Sequence, residues 1–423
     1  MVCKRFRSIS RSGGPKEFTA TGHSCEEPVP HGLSNALNLI SQNQLVRLDS
    51  VVAQASSNSK RSDPPEEAYE LSATTAASST QTARKRHHSE SVEKDDAKPL
   101  IKSLKTDNSL DDKPLPPIYS LRGGYLWVSD FSKQMWCEQQ LEYSLSVPVD
   151  VTIPEPKWVT KGSELHLARE LEVQDYVKVT VTSSEDIFAV KVINLLIALK
   201  SILTMSAAVH REVPIFGVVN GVFILGKIDE IRLDRESFSL DIVDFKTRKT
   251  QKAPGRAQKI TQSTQIMLYK RLFDDLVRGL VPRHSLTVTL QLDLDKALGE
   301  SVTENIHSSH AVLHCHDKKM PLTLSLLLDE VKEAAESLPF INQLFIDYIW
   351  QEDNQSFLLE EVKYDAIWLE TQMTRCLAYW KGERQCRGVD IEDAWKCHSC
   401  DYQESCQWIV QKTKELQLAR EKI

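Results

Sequence analysis

The chain has 423 residues, with 52 basic against 59 acidic side chains and a net charge of -7 at pH 7. That balance argues against a protein that meets nucleic acid over its whole surface, so any polyanionic partner has to be met in a local groove. With 41% hydrophobic and 26% charged residues the chain can bury a real core, its length allows two or three domains, and fibrous or collagen-like classes are excluded.

Residues 1–117 contain three aromatics, Phe6, Phe18 and Tyr69, and none of the eight Trp, while Ser, Thr, Pro and charge dominate. Such a segment buries too little apolar surface to offset chain entropy and is expected to be largely disordered. Its charges nearly cancel, 16 basic against 15 acidic, so the acidic excess belongs to residues 118–423. The first fourteen residues are basic and free of acids but lack the apolar run of a secretory signal, and a mitochondrial presequence is the lesser option. The cluster Arg84-Lys85-Arg86 suits nuclear import, so the nucleus is the expected location, with the cytoplasm second.

Residues 121–145 read as a turn at Gly123-Gly124 followed by a helix capped near Ser129, with Phe131, Met135 and Trp136 at helical spacing. Further helices are expected over 164–177 and 185–207. The apolar stretch from Ile187 to Met205 is interrupted by Lys191, Asn194 and Lys200, which marks a helix with a buried face and no membrane span. Residues 213–246 are rich in β-branched and aromatic side chains broken by Gly and charged turns, a run of adjacent strands. A helix over 256–278, a strand over 285–293, a helix over 322–349 and a last strand over 357–362 complete an α/β or α+β domain of about 250 residues.

The strongest local signal is Gly226-Lys227-Ile228-Asp229, followed by Asp244-Phe245-Lys246. In a strand Asp244 and Lys246 project to one face, and Asp229 at the end of a neighbouring strand can bring a second carboxylate to the same spot. Two hard oxygen donors with open positions suit Mg²⁺ or Mn²⁺, and a lysine beside them can orient or deprotonate an attacking water, the chemistry of phosphodiester hydrolysis. The competing reading of D-x-K is a surface ion pair. Gly221 to Ile228 almost spells a phosphate-binding loop, but Ile228 replaces the required hydroxyl and the interior is strand-forming, so no ATP site is expected.

Nine cysteines in a chain without a secretory signal are expected as thiols. Cys397-x-x-Cys400-x₅-Cys406 supplies three metal-binding thiolates and needs a fourth donor; for zinc the nearby candidates are Cys386 and His398. Cys3, Cys25, Cys315, Cys376 and Cys386 are read as non-ligands, and the His314-Cys315-His316 triplet as a decoy.

Gly226-x-x-Asp229 and Asp244-x-Lys246, preceded by Gly162-x-x-x-His166-x-x-x-Glu170 and followed by Gln265-x-x-x-Tyr269, resemble the RecB-type branch of the PD-(D/E)XK nucleases. Trp395-Lys396-Cys397 and the Gly382-Glu383-Arg384 segment ahead of it extend the likeness to iron–sulfur exonucleases of that branch. The resemblance implies a PD-(D/E)XK core over 118–423, a mixed β-sheet flanked by helices. A [4Fe–4S] cluster on Cys137, Cys397, Cys400 and Cys406 is implied to close it, joining the N- and C-terminal parts of the domain. It implies Asp229 and Asp244 as Mg²⁺ ligands, Lys246 placing water, His166 and Glu170 supporting the metal, and Gln265 and Tyr269 positioning the strand. Arg248 and Arg256 join Lys246, Lys249, Lys252 and Lys259 as a basic path for the substrate.

The implied activity is Mg²⁺-dependent exonucleolytic hydrolysis of single-stranded DNA from free ends into short oligonucleotides, in DNA repair and genome maintenance. A monomer without membrane contact is expected, with a single-strand-binding protein as partner. The rival reading is a zinc-stabilised module that binds single-stranded nucleic acid without catalysis, in which Trp127, Trp136, Trp380 and Trp395 stack on bases rather than pack in the core.

Overall fold

The protein is described from a computed structural model covering residues 2–6, 114–146, 166, 169–170, 172, 174–308 and 321–421. The disorder expected of the N-terminal region, its basic cluster, Cys25 and the His314-Cys315-His316 triplet lie outside the described residues.

The central feature is a three-strand meander. Strands β4 (Val209–Val219) and β5 (Val222–Asp234) pair from Val209–Arg232 down to Val219–Val222, with a gap at Glu212, through the two-residue turn Asn220-Gly221. Both turn residues have positive φ, 49° and 79°, the geometry a tight hairpin demands and Asn-Gly supplies. β6 (Ser239–Arg248) returns antiparallel to β5, pairing only over Glu230–Asp234. On the same β5 edge the short β2 (Leu126–Trp127) pairs parallel at Ile224 and Leu225. Between those patches, residues 226–229 have no ladder partner on that edge among the described residues. Beyond Val243, β6 leaves β5 and continues beside the parallel β7 (Ile341–Trp350), and β8 (Ser356–Glu361) closes the six-stranded mixed sheet. Asp229 and the Asp244-x-Lys246 motif therefore sit in the wedge where two strands separate.

Helices α1 (Pro117–Arg122), α2 (Val128–Trp136) and α3 (Glu138–Ser146) lead in, and α4 (Ser184–Leu203) follows. α4 is buried over most of its circumference, as a helix rich in Leu, Ile and Val all round must be. Its start is fixed by Ser183 Oγ accepting from the Asp186 N–H at 3.1 Å. α5 (Arg256–Val277) packs on α2, β4 and β7. Then come α6 (Arg283–Val288), α7 (Glu300–Ser308), α8 (Leu324–Glu336), α9 (Ala366–Trp380), short 3₁₀ turns at Ile391–Ser399 and Gln403–Ser405, and α10 (Gln407–Arg420).

The expected mixed sheet flanked by helices is present, and three local expectations are corrected. The strand expected over 285–293 is helical at α6, which buries only Leu286; no strand edge lies there to use its alternating pattern. The helix expected over 322–349 stops at Glu336, since Pro339 cannot continue it, and Ile341 onward is β7. Of the helix expected over 164–177, residues 166, 169, 170 and 172 are helical, but Gln174–Lys178 is a strand, β3. Val2–Phe6, placed by sequence in the disordered region, forms β1 and pairs antiparallel with β3. Among the described residues no helix is long and apolar enough to cross a membrane.

Candidate active site

The wedge collects the charged motifs. Asp229 leans from β5 toward the departing β6, and its carboxylate accepts the Phe245 backbone N–H at 2.8 Å, replacing the ladder bond lost where the strands part. One step before Phe245, Asp244 is fully buried, and neither carboxylate oxygen receives a well-aligned hydrogen bond. The Lys246 ammonium lies 3.0 Å from its Oδ2 and is held from the other side by Gln265 Oε1 at 3.2 Å. D-x-K is thus no surface ion pair. Burial pushes the Asp244 carboxyl up to about 7; Lys246 opposes that and Asp229 adds to it. A buried carboxylate whose one close cationic neighbour among the described residues is Lys246, beside a second carboxylate, is a local deficit that a cation could fill.

Sequence reasoning missed one member of the site. The β4–β5 ladder pairs Arg211 with Glu230 and Val213 with Ile228, so Glu212 falls opposite Asp229 by register but makes no ladder pair. Its φ is +51°, a left-handed conformation costly for a residue other than glycine in mid-strand. The strain turns its buried carboxylate to His166 Nδ1, 3.5 Å away, and to Lys227 Nζ at 2.6 Å. Burial raises the Glu212 carboxyl, but Lys227 and His166 outweigh it and leave the group well below the usual carboxylate range. Burial likewise lowers His166, but Glu212 and Asp229 outweigh it and raise the imidazole above its ordinary value.

Ligand atoms of His166, Glu212 and Asp229 lie within 4.8 Å of one another, the one such three-donor group among the described residues. Asp244 stands beside this group rather than inside it, sensed by Asp229 and His166 through their charges. Glu170 is buried one helical turn beyond His166 and falls outside the three-donor group. No periodicity marked Glu212; the signal available was an acid directly ahead of the largely apolar Val213–Val219 run, opposite a motif aspartate.

α5 forms the roof. Gln265 Nε2 donates to the Tyr269 hydroxyl at 3.4 Å, and the Tyr269 ring closes over Gly226, where an added Cβ would lie 2.8 Å from its Cε1. Burial, then the charges of Asp229 and Asp244, push the Tyr269 phenol far up, so it stays protonated. Arg248 reaches Gln258 Oε1 at 3.4 Å, while Arg256 and Lys259 line an open groove with Lys363 and Trp368. Lys259 is partly engaged by Glu360 at 2.6 Å. Arg169 stacks on the Phe245 ring at 3.8 Å and buttresses the helical segment that carries His166.

Some 260 residues apart in sequence, Cys137 and the three C-terminal cysteines line one cavity with Trp136, Tyr402 and Trp408. Burial and then the neighbouring thiols push Cys137 up to about 11, and Cys397 and Cys400 rise for the same reasons, so a cation is needed to hold four thiolates there. Among the described residues no three of these sulfurs fall within 4.8 Å of one another. Cys376 is buried in the core, and Cys386 faces Glu142, which with burial raises its thiol strongly. Of the four tryptophans considered for stacking, Trp380 is fully buried, and Trp395 is half-exposed with its ring edge-on to Trp136.

A family described as "Exonuclease V - a 5' deoxyribonuclease" matches residues 117–242, 234–323 and 317–409 of this chain. Exonuclease V of Danio rerio is 35% identical over 320 residues, spanning 75% of this chain and 78% of that protein. The crystal structure of SSO0001 is similar at a TM-score of 0.27 and 13% identity, over 67% of this chain and 86% of that one, too distant to bear on the fold.

Proposed function

The chain belongs to the exonuclease V family and is an exonuclease acting on DNA, and from that premise we propose that it hydrolyses single-stranded DNA from a free 5' end with a divalent cation bound in the wedge. The observation that carries the reading is the gathering of His166, Glu212 and Asp229 within 4.8 Å beside the donor-poor, buried Asp244. A mixed imidazole and carboxylate set of this kind suits Mg²⁺ or Mn²⁺. When bound, the cation supplies positive charge to the phosphodiester and acidifies water.

The chain's own residues do the rest. Lys246, held between Asp244 and Gln265, directs its ammonium into the wedge, where it can orient the attacking water and balance charge on the phosphate. Tyr269 and Gln265 wall off the opposite side, and the protonated phenol can donate to the strand. Lys227 holds Glu212 in place and competes with the cation for it. The groove edged by Arg256, Lys259 and Lys363, with Trp368 beside them, offers cations to phosphates and an indole face to a base. The four cysteines hold a [4Fe–4S] cluster, and the place of action is nuclear DNA repair.

Mg²⁺-dependent digestion of end-labelled single-stranded DNA, set beside duplex and circular substrates, tests the reading. Linear single strands should be degraded and circles spared, and Asp229→Ala or Lys246→Ala should abolish turnover while DNA binding stays measurable. Cutting of circles, or wild-type turnover in either variant, would refute it. A zinc-stabilised binding module predicts no cleavage by any form.

A further inference from the structure

Cys137 lies between two residues that are each tied to the far end of the chain. On one side the Trp136 carbonyl accepts from Lys396 Nζ at 3.1 Å. That ammonium is only 6% exposed, pairs with Asp393 at 2.8 Å and sits 4.7 Å over the Trp136 ring. On the other side the buried Glu138 carboxylate accepts both Arg384 terminal nitrogens, at 2.5 and 2.6 Å, the Arg387 backbone N–H at 2.8 Å and Gln134 Nε2 at 2.6 Å. The Gln139 N–H donates back to the Arg387 carbonyl at 3.2 Å. The contacts that cross between the two segments join positions 246 to 260 residues apart, and none of them involves a sulfur.

Each group is matched. Glu138 receives four donors, two of them from one forked guanidinium, the geometry in which a buried ion pair repays its desolvation, and Arg384 is anchored a second time on the Arg375 carbonyl at 2.9 Å. We infer that Glu138, Arg384 and Lys396 form a clamp that closes the two ends of the domain without iron and presents Cys137 to Cys397, Cys400 and Cys406 as a preformed cradle. This inverts the order of cause implied by the sequence: the protein ring holds the cluster, and the cluster does not make the ring. The three are positioning residues, and the inference rests on reading the four cysteines as an iron–sulfur site.

The test uses the full chain, loaded with iron and sulfide and then stripped by chelator, and reads amide hydrogen exchange together with bleaching of the visible absorption. Stripped wild type should keep protection at 134–140 and 384–397. Glu138→Gln and Lys396→Met should lose protection in both segments while β5 and β6 stay protected, which separates clamp loss from misfolding. In the loaded protein both variants should bleach about tenfold or more faster under chelator, the usual effect of removing an outer partner of a metal ligand, and Lys396→Arg should restore most of the difference. Stripped wild type that exchanges both segments as fast as the variants overturns the clamp, as does variant bleaching at the wild-type rate. Protein isolated under argon without iron or colour defeats the cluster reading instead, and the exchange comparison still decides the clamp.

Discussion

Asp244 carries the sharpest linkage between protonation and folding in the molecule. Its carboxyl is raised to about 7 by burial, so in cation-free protein the folded state keeps a proton that the unfolded chain has already released above its ordinary carboxylate range. The stability this group contributes is therefore complete below about pH 4 and is lost as pH rises through 7, a change of about 4 kcal/mol. His166, also raised, shifts stability in the same direction. Urea denaturation in chelator should show stability falling between pH 4 and 7, and Asp244→Asn should flatten much of that slope; an unchanged slope refutes the assignment. Glu212→Gln removes a charged donor while sparing the hairpin, and should weaken Mn²⁺ binding at least about tenfold, or 1.4 kcal/mol, by titration of the free ion's magnetic resonance signal. Retained affinity would remove Glu212 from the metal site.

At the scale of elements, the site depends on how closely α5 approaches the sheet. Gly226 is needed because Tyr269 Cε1 and Val128 Cγ2 would each lie 2.8 Å from an added Cβ. Gly226→Ala should cost about 1–3 kcal/mol by urea denaturation, the range for overpacking, and should displace Tyr269 from the wedge. The meander, α4 and α5 were legible in the sequence because each keeps one periodicity over a long run and is closed by a local signal, Asn220-Gly221 for the hairpin and Ser183 for the helix. Asp229, Asp244 and Lys246 were legible because D-x-K fixes its own parity in a strand. Glu212 was hidden, since its role comes from a left-handed backbone and a register opposite another strand, neither of which leaves a local pattern. α6 and β7 were misread because nine residues of alternation over 285–293 need a neighbouring edge, and because an amphipathic helix followed by a strand shares one apolar density across the Pro339 break.

For the whole molecule, the charge of -7 is compatible with a polyanionic substrate because the acids are spent locally: Glu212 and Asp229 face the proposed cation site, and Glu138 is saturated by Arg384. Binding of single-stranded DNA should then weaken steeply with salt, and Arg256→Ala or Lys363→Ala should each reduce the slope of log affinity against log salt by about one. An unchanged slope in both variants would place the strand elsewhere. The wedge and the clamp also differ in how far apart along the chain their parts lie. Glu212, Asp229, Asp244 and Lys246 belong to two successive hairpins, whereas Glu138 and Arg384 stand 246 positions apart. Local pairings close quickly and distant ones late, because the entropy of loop closure grows with the intervening chain. During synthesis the wedge can therefore take shape while Cys137 still waits for residues 384–406 to leave the ribosome, so that loading of the proposed cluster would report that translation has passed them.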